Sequence, residues 1–397
     1  MTSWARITCT ALCAAAFLSA CASQQPARQA PQQQLFRDST FQPAAEPIDT
    51  SQVFALTPAM RDYVRNNLGA APGKDVRLVL FDALYRRDKL QLEYDDAITR
   101  TAAETFEARA GNCLSLAIMT ATLARELEMP VIFQQVQLDE VWSRAGNLYF
   151  ASNHVNLALG RQRSNRNPYT AYTMDEANTL TVDFIPIPPK SRETAKPLEE
   201  HTVLAMFLNN RAAELLAAGK VDEAYWAARK AATVDPLFLN AYNTLGVIYQ
   251  HHGDQDAAEQ VLRYAHTQAP DNTIFLSNLA QTLENQNKLD EAAVLRVRLA
   301  KLEPYPPFYF FNQGQAAVQL GDYARARKLF ERELERVPDY HELHFWLSVV
   351  NYHLGNLRAA DNYMALAKKN STTRSAERVY AAKLDRIRAH EAELRAK

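Results

Sequence analysis

The 397-residue sequence predicts an α+β domain followed by an all-α solenoid, and three observations carry that reading. Prolines recur at 236, 270, 304 and 338, with a glycine or asparagine in a second matching register, which marks a repeat array. Ahead of it, a long apolar helix starting near Cys113 is followed by three apolar strands, an α+β order. Glycine is scarce, 11 of 397, well under the ordinary ~7%, which suits helices better than a turn-rich β chain. Lys and Arg number 44 against 45 Asp and Glu, so the basic surface that nucleic acid needs is absent and no nucleic-acid partner is expected. Neither G-x-G-x-x-G nor G-x-x-x-x-G-K-[ST] occurs, so no phosphate cradle is visible, and no cofactor or metal is implied.

The N-terminus reads as an export signal over 1–20. Arg6 precedes a short apolar run, Ile7 to Ala16 with Phe17-Leu18 behind it. That is shorter than the ~20 apolar residues a membrane span needs. Leu18-Ser19-Ala20-Cys21 then resembles the lipobox of bacterial lipoproteins. The resemblance implies that Cys21 is acylated and becomes the mature N-terminus, anchoring the chain to a membrane through lipid. Ala22, where an Asp would signal inner-membrane retention, implies the outer membrane of the cell envelope, facing the periplasm. Gln24-Gln25, Gln32-Gln33-Gln34 and Pro26, Pro31, Pro43 and Pro47 make 21–50 a disordered tether by composition. Cys9 and Cys13 leave with the signal, so Cys113 is the one free thiol of the mature chain.

The middle region, 51–200, opens with Thr57-Pro58, a capping residue before a proline at the first helical position. Helices are expected over Val76–Tyr85 and Ala97–Ala108, with a short strand at Leu90–Tyr94 between them. After Gly111-Asn112, Cys113 begins a mostly apolar helix that Met129-Pro130 ends. Strands are expected over Val131–Leu138, Leu148–Leu159 and Leu180–Ile185, the last stopped by Pro186. A helix N-terminus favours the thiolate, and the Cys113 N–H points where an oxyanion forms. Asp183 in an apolar strand needs a partner, and a histidine on the neighbouring strand, His154, would supply it.

From about Leu92 to Pro186 this order resembles the transglutaminase-like, papain-related superfamily. The Gly-x-Cys helix start, the Met-Pro stop, the strand histidine and the Val-Asp strand carry the likeness. The resemblance implies Cys113 as nucleophile, His154 as general base and Asp183 as the group that orients the imidazole. The family commonly reads His-Ala-Trp where this chain has His154-Val155-Asn156, a departure at the substrate-side wall. Gln135 and Tyr94 are the candidates for a second oxyanion donor. The long connection holding Arg161, Arg163, Arg166 and Tyr169 reads either as a solvated loop or as a rim that attracts a carboxylate.

In the C-terminal half, Gly219, Gly253, Gly321 and Gly355 keep the proline period, with Asn287 in the remaining slot. Ala224, Ala258, Ala292, Ala326 and Ala360 recur in register. This resembles the tetratricopeptide repeat, in five units over 201–372 closed by an amphipathic capping helix at 373–397. The resemblance implies an independent solenoid that binds a protein or peptide partner. The run Phe308-Tyr309-Phe310-Phe311 reads either as core rings or as an aromatic groove wall, and His341 and His344 lack the further ligands a metal needs. The expectation is a lipid-anchored envelope thiol enzyme acting on peptide or isopeptide amide bonds through a Cys113 thioester. The alternative is a non-catalytic envelope scaffold or adaptor.

Overall fold

The computed structural model describes residues 32–44, 48–69, 74–86, 89–95, 98–145, 148–161, 179–184, 195–371 and 374–396, and the side chains of these except within 137–153 and at the ends of the last helix. The export signal, Cys21, Arg163, Arg166, Tyr169 and Pro186 lie outside the described residues.

Helix α1, Pro58–Tyr63, starts where Thr57 Oγ1 accepts the Met60 N–H at 3.2 Å, and α2 is Val76–Tyr85. Strand β1, Glu93–Tyr94, precedes α3, Ala102–Ala108. That helix begins later than its apolar pattern suggests. Thr101 and Glu104 form a reciprocal cap, the Glu104 carboxylate accepting the Thr101 N–H at 2.8 Å, and this sets the start. Strand β2, Ala110–Gly111, pairs in parallel with β1 and leads into α4, Cys113–Glu126, which is buried on every side from Cys113 to Ala124.

Strands β3, Val131–Ala145, and β4, Leu148–Leu159, form a long antiparallel hairpin whose register shifts between Val136 and Val141. With β5, Leu180–Val182, and β6, Lys196–Leu198, they make an antiparallel sheet in the order β5-β4-β3-β6. Strand β3 runs past the expected Leu138, and β5 stops at Val182, so Asp183 follows the strand rather than lying within it.

Five helix pairs and a single helix follow. They are α5 Glu200–Ala217 with α6 Val221–Val234, α7 Leu239–His252 with α8 Gln255–Gln268, and α9 Thr273–Asn285 with α10 Leu289–Leu302. Then come α11 Tyr309–Gln319 with α12 Tyr323–Leu334, α13 His341–His353 with α14 Leu357–Lys369, and α15 Arg374–Ala396. Each pair turns on a residue of positive φ, and in the third pair that residue is Asn287 at 60°. Small residues set the helix spacing: a Cβ on Gly246 would sit 2.4 Å from Leu262 Cγ, and one on Gly314 2.5 Å from Phe330 Cε1.

Two expectations are corrected. First, the disordered tether over 21–50 does not hold for 32–44. Leu35, Phe36 and Phe41 are buried there, because the side chains they meet come from α6 and α7. Second, the repeats do not stand apart as an independent module. One continuous core runs from the middle region through Ala292. Helix α5 buries Val203, Ala205, Met206, Phe207 and Leu208, more than one face, and Glu214 accepts the Thr99 N–H at 2.7 Å. Arg125 pairs with Glu200 across the same junction. The array also carries a division that its regular period does not mark. Its core divides after the third pair, where α10 buries Ala292 alone and leaves Leu289, Val294 and Val297 exposed, and a second core begins at Phe308. Of the aromatic run, Phe308, Phe310 and Phe311 are buried and Tyr309 is exposed, so the core reading holds for three of the four rings.

Candidate active site

The turn before α4 explains the position of Cys113. Arg109 is left-handed, φ 53°, and ends α3. The chain then pairs with β1: Glu93 N–H donates to Arg109 O at 2.9 Å and Asp95 N–H to Gly111 O at 3.0 Å. Gly111 is required by close approach, since a Cβ there would lie 2.7 Å from Ser115 Cβ. Asn112 caps the helix. Its Oδ1 accepts both the N–H and the hydroxyl of Ser115 at 2.9 Å, and its Nδ2 donates to Thr99 Oγ1 at 2.8 Å. Cys113 is therefore the first residue of α4, where the helix leaves its own N–H groups unbonded and its dipole is positive. It is buried, and it is the free cysteine among the described residues.

His154 lies in β4 opposite Val136 of β3, with its side chain fully buried. Leu157 pairs with Val182 of β5, and continuing that antiparallel register sets Asp183 beside Asn156. Asp183 Oδ1 accepts from His154 Nε2 at 2.7 Å, and Asp183 Oδ2 accepts from Asn156 Nδ2 at 2.9 Å. An ionised carboxylate only accepts, so Nε2 carries a proton. Nδ1 is buried and has no hydrogen-bond partner among the described residues, and Cys113 is near enough to raise the pKa of the ring. Burial alone would lower the His154 pKa. The Asp183 hydrogen bond and the Cys113 sulfur outweigh it, and the value rises from the ordinary 6.5 to about 9. The imidazole is thus cationic at neutral pH beside the thiol. From the other side, Tyr85 at the end of α2 donates its hydroxyl to the Asp183 carbonyl at 2.6 Å.

The structure thus pairs His154 with Asp183, with Cys113 near the same ring. Gln135 pairs with Val155, one residue out of step with His154, so the pleat turns it to the opposite face, away from an oxyanion role. Tyr94 pairs with Gly111, two residues before the thiol. Arg161 is exposed. His341 and His344 are engaged elsewhere, Nδ1 of the first with the Tyr380 hydroxyl and Nε2 of the second with Pro338 O, both at 2.9 Å. Two residues of the cluster escape sequence reasoning. Asn156 carries a signal, its two-residue spacing from His154 on a strand, which puts both on one face. Tyr85 carries none.

Residues 311–372 match the tetratricopeptide repeat family model. No curated protein matches the chain. Among solved structures, pilF of Pseudomonas aeruginosa is 19% identical with a TM-score of 0.28, over 49% of this chain and 100% of its own. A thermophilic TPR protein of Thermus thermophilus, TTC0263, is 18% identical with a TM-score of 0.29, over 45% of this chain and 98% of its own. MamA of MSR-1 is 22% identical with a TM-score of 0.24, over 42% and 95%. Tetratricopeptide repeats are thus matched over 311–372, and the same pattern of paired helices turning on residues of positive φ runs through all five pairs.

Proposed function

We propose that this chain is a lipid-anchored thiol enzyme of the cell envelope, acting on amide bonds, whose repeats hold a protein partner. The observation that supports the reading most is the thiol at a helix N-terminus beside an imidazole whose far nitrogen is fixed by a buried carboxylate. A cationic imidazole beside a thiol favours the thiolate, the form that attacks a carbonyl carbon. Cys113 attacks the amide carbon, and the oxyanion meets the unbonded N–H groups at the start of α4. His154 gives its Nδ1 proton to the leaving amine, and a thioester forms on Cys113. Water then attacks the thioester, His154 taking its proton and passing it to the departing Cys113 sulfur, and the acid and the free thiol are released. An amine in place of water would make the same chemistry a transfer.

The order of elements supports a transglutaminase-like domain, and the Leu18-Ser19-Ala20-Cys21 sequence supports a lipid on Cys21 and an outer-membrane location facing the periplasm. The test is capture of the thioester. Peptides from a cell-envelope digest are incubated with the full chain, quenched in acid, and Cys113 is read by mass spectrometry. An acyl adduct on the wild type and none on Cys113→Ser supports the reading. No adduct at any time point, with the thiol intact, favours the second reading, a scaffold that uses a closed, buried thiol site only for structure.

A further inference from the structure

Residues 35–42 are contacted by the repeats as a bound peptide is. The segment crosses units one and two with a short 3-10 turn at Asp38–Thr40, and side chains of the array hydrogen-bond the backbone on either side of that turn. Tyr225 accepts the Arg37 N–H on its hydroxyl at 2.9 Å, Tyr249 donates to Leu35 O at 2.8 Å, Trp226 Nε1 donates to Gln42 O at 2.6 Å, and Asp222 accepts the Gln42 N–H at 2.9 Å. Its side chains are met one by one. The Phe41 ring stacks on Tyr225 with centroids 3.9 Å apart and planes 1° from parallel, and His252 flanks it at 4.3 Å. Phe36 lies under the Arg229 guanidinium at 5.0 Å. Asp38 takes both prongs of Arg229, at 2.6 and 2.8 Å, and the Tyr225 hydroxyl at 2.6 Å. Arg37 reaches Gln260 of unit two at 2.6 Å. Backbone hydrogen bonds give such a mode its affinity, and the two rings with the bidentate pair between them give it selectivity.

We infer that units one and two form a peptide-reading surface whose resident ligand is the chain's own Leu35–Gln42 segment. When that segment is displaced, the surface takes a peptide of the same pattern with the same short turn: an aromatic residue, Arg, Asp, two small polar residues, then a second aromatic. The inference is independent of the thiol chemistry. Held in cis, the segment has an effective concentration on the order of millimolar, so a competitor in trans is excluded until the segment leaves. An occupied first pair of units also confines a partner of the resting chain to the units beyond.

The test uses the full chain and a fluorescently labelled peptide of residues 32–44. The wild type should leave the peptide unbound. The variant Asp38→Ala/Phe41→Ala, which weakens the resident segment and leaves the surface intact, should bind it saturably, at least about tenfold tighter than wild type. Adding Arg229→Ala to that variant should remove the gain. Equal, weak binding by wild type and the double variant, with unchanged circular dichroism, overturns the inference. Loss of helical signal in Asp38→Ala and in Phe41→Ala singly also overturns it, since the segment would then be part of the fold and not a ligand.

Discussion

Asp183 has both carboxylate oxygens engaged, one by His154 and one by Asn156, and this double hold aims the imidazole. Replacing Asn156 by Ala takes one donor away from Asp183 Oδ2 in a buried site. That should cost about 1–3 kcal/mol of stability and slow Cys113 alkylation by less than His154→Ala does, measured side by side on the two variants. Cys113→Ser should change stability by under ~1 kcal/mol, since the volume barely changes, while removing thiol labelling and thioester formation. The raised His154 pKa also predicts a pH dependence. The folded chain holds this proton up to about 9, the unfolded chain only up to about 6.5. The contribution to stability is therefore full below about 6.5 and is lost as the pH climbs through about 9. Thermal melts across that window should fall for the wild type and fall less for His154→Gln. The contact of His154 with Asp183 was legible, because a carboxylate among apolar residues calls for a partner on the neighbouring strand. Asn156 read as a gap in the substrate wall, since a second partner for Asp183 shows only once β4 and β5 are in register.

At the level of elements, turn chemistry made the repeats readable. A left-handed turn accepts Gly and Asn with little strain, so Asn287 could be placed in the glycine slot by its number alone. The close helix contacts yield a sharp test. Gly246→Ala puts a methyl into Leu262, and the overpacking should cost about 1–3 kcal/mol by chemical denaturation. Gly111→Ala does the same at the start of α4. It should lower both stability and the alkylation rate, because the Cys113 turn must shift. The 32–44 segment was misread as tether. Its glutamines and prolines hide three buried apolar residues, and their partners lie roughly 190 residues away in the repeats, where no local pattern reaches.

The whole molecule has three clusters of buried apolar residues where two domains were expected. The middle region shares one with units one to three, unit four and α13 form the second, and α14 with α15 forms the third. The proline period runs across this division unchanged, so the break was invisible in the sequence. It shows only in α10, whose alanine stays buried while Val294 and Val297 face outward. Hydrogen exchange should therefore find α11 to α14 opening independently of α7 and α8, with no loss of Cys113 reactivity when they open. A chain beginning near 201 should melt lower than the intact protein, because α5 loses the partners of its second face. Fractionation should find Cys21→Ala released from the membrane with unchanged circular dichroism. The claim on which the functional account rests is that His154 activates the Cys113 thiol, and alkylation by a small haloacetamide tests it most directly. At about pH 6, the wild type should react at least roughly tenfold faster than His154→Ala. Superimposable rate profiles for the two proteins from about pH 6 to about pH 9 would contradict it.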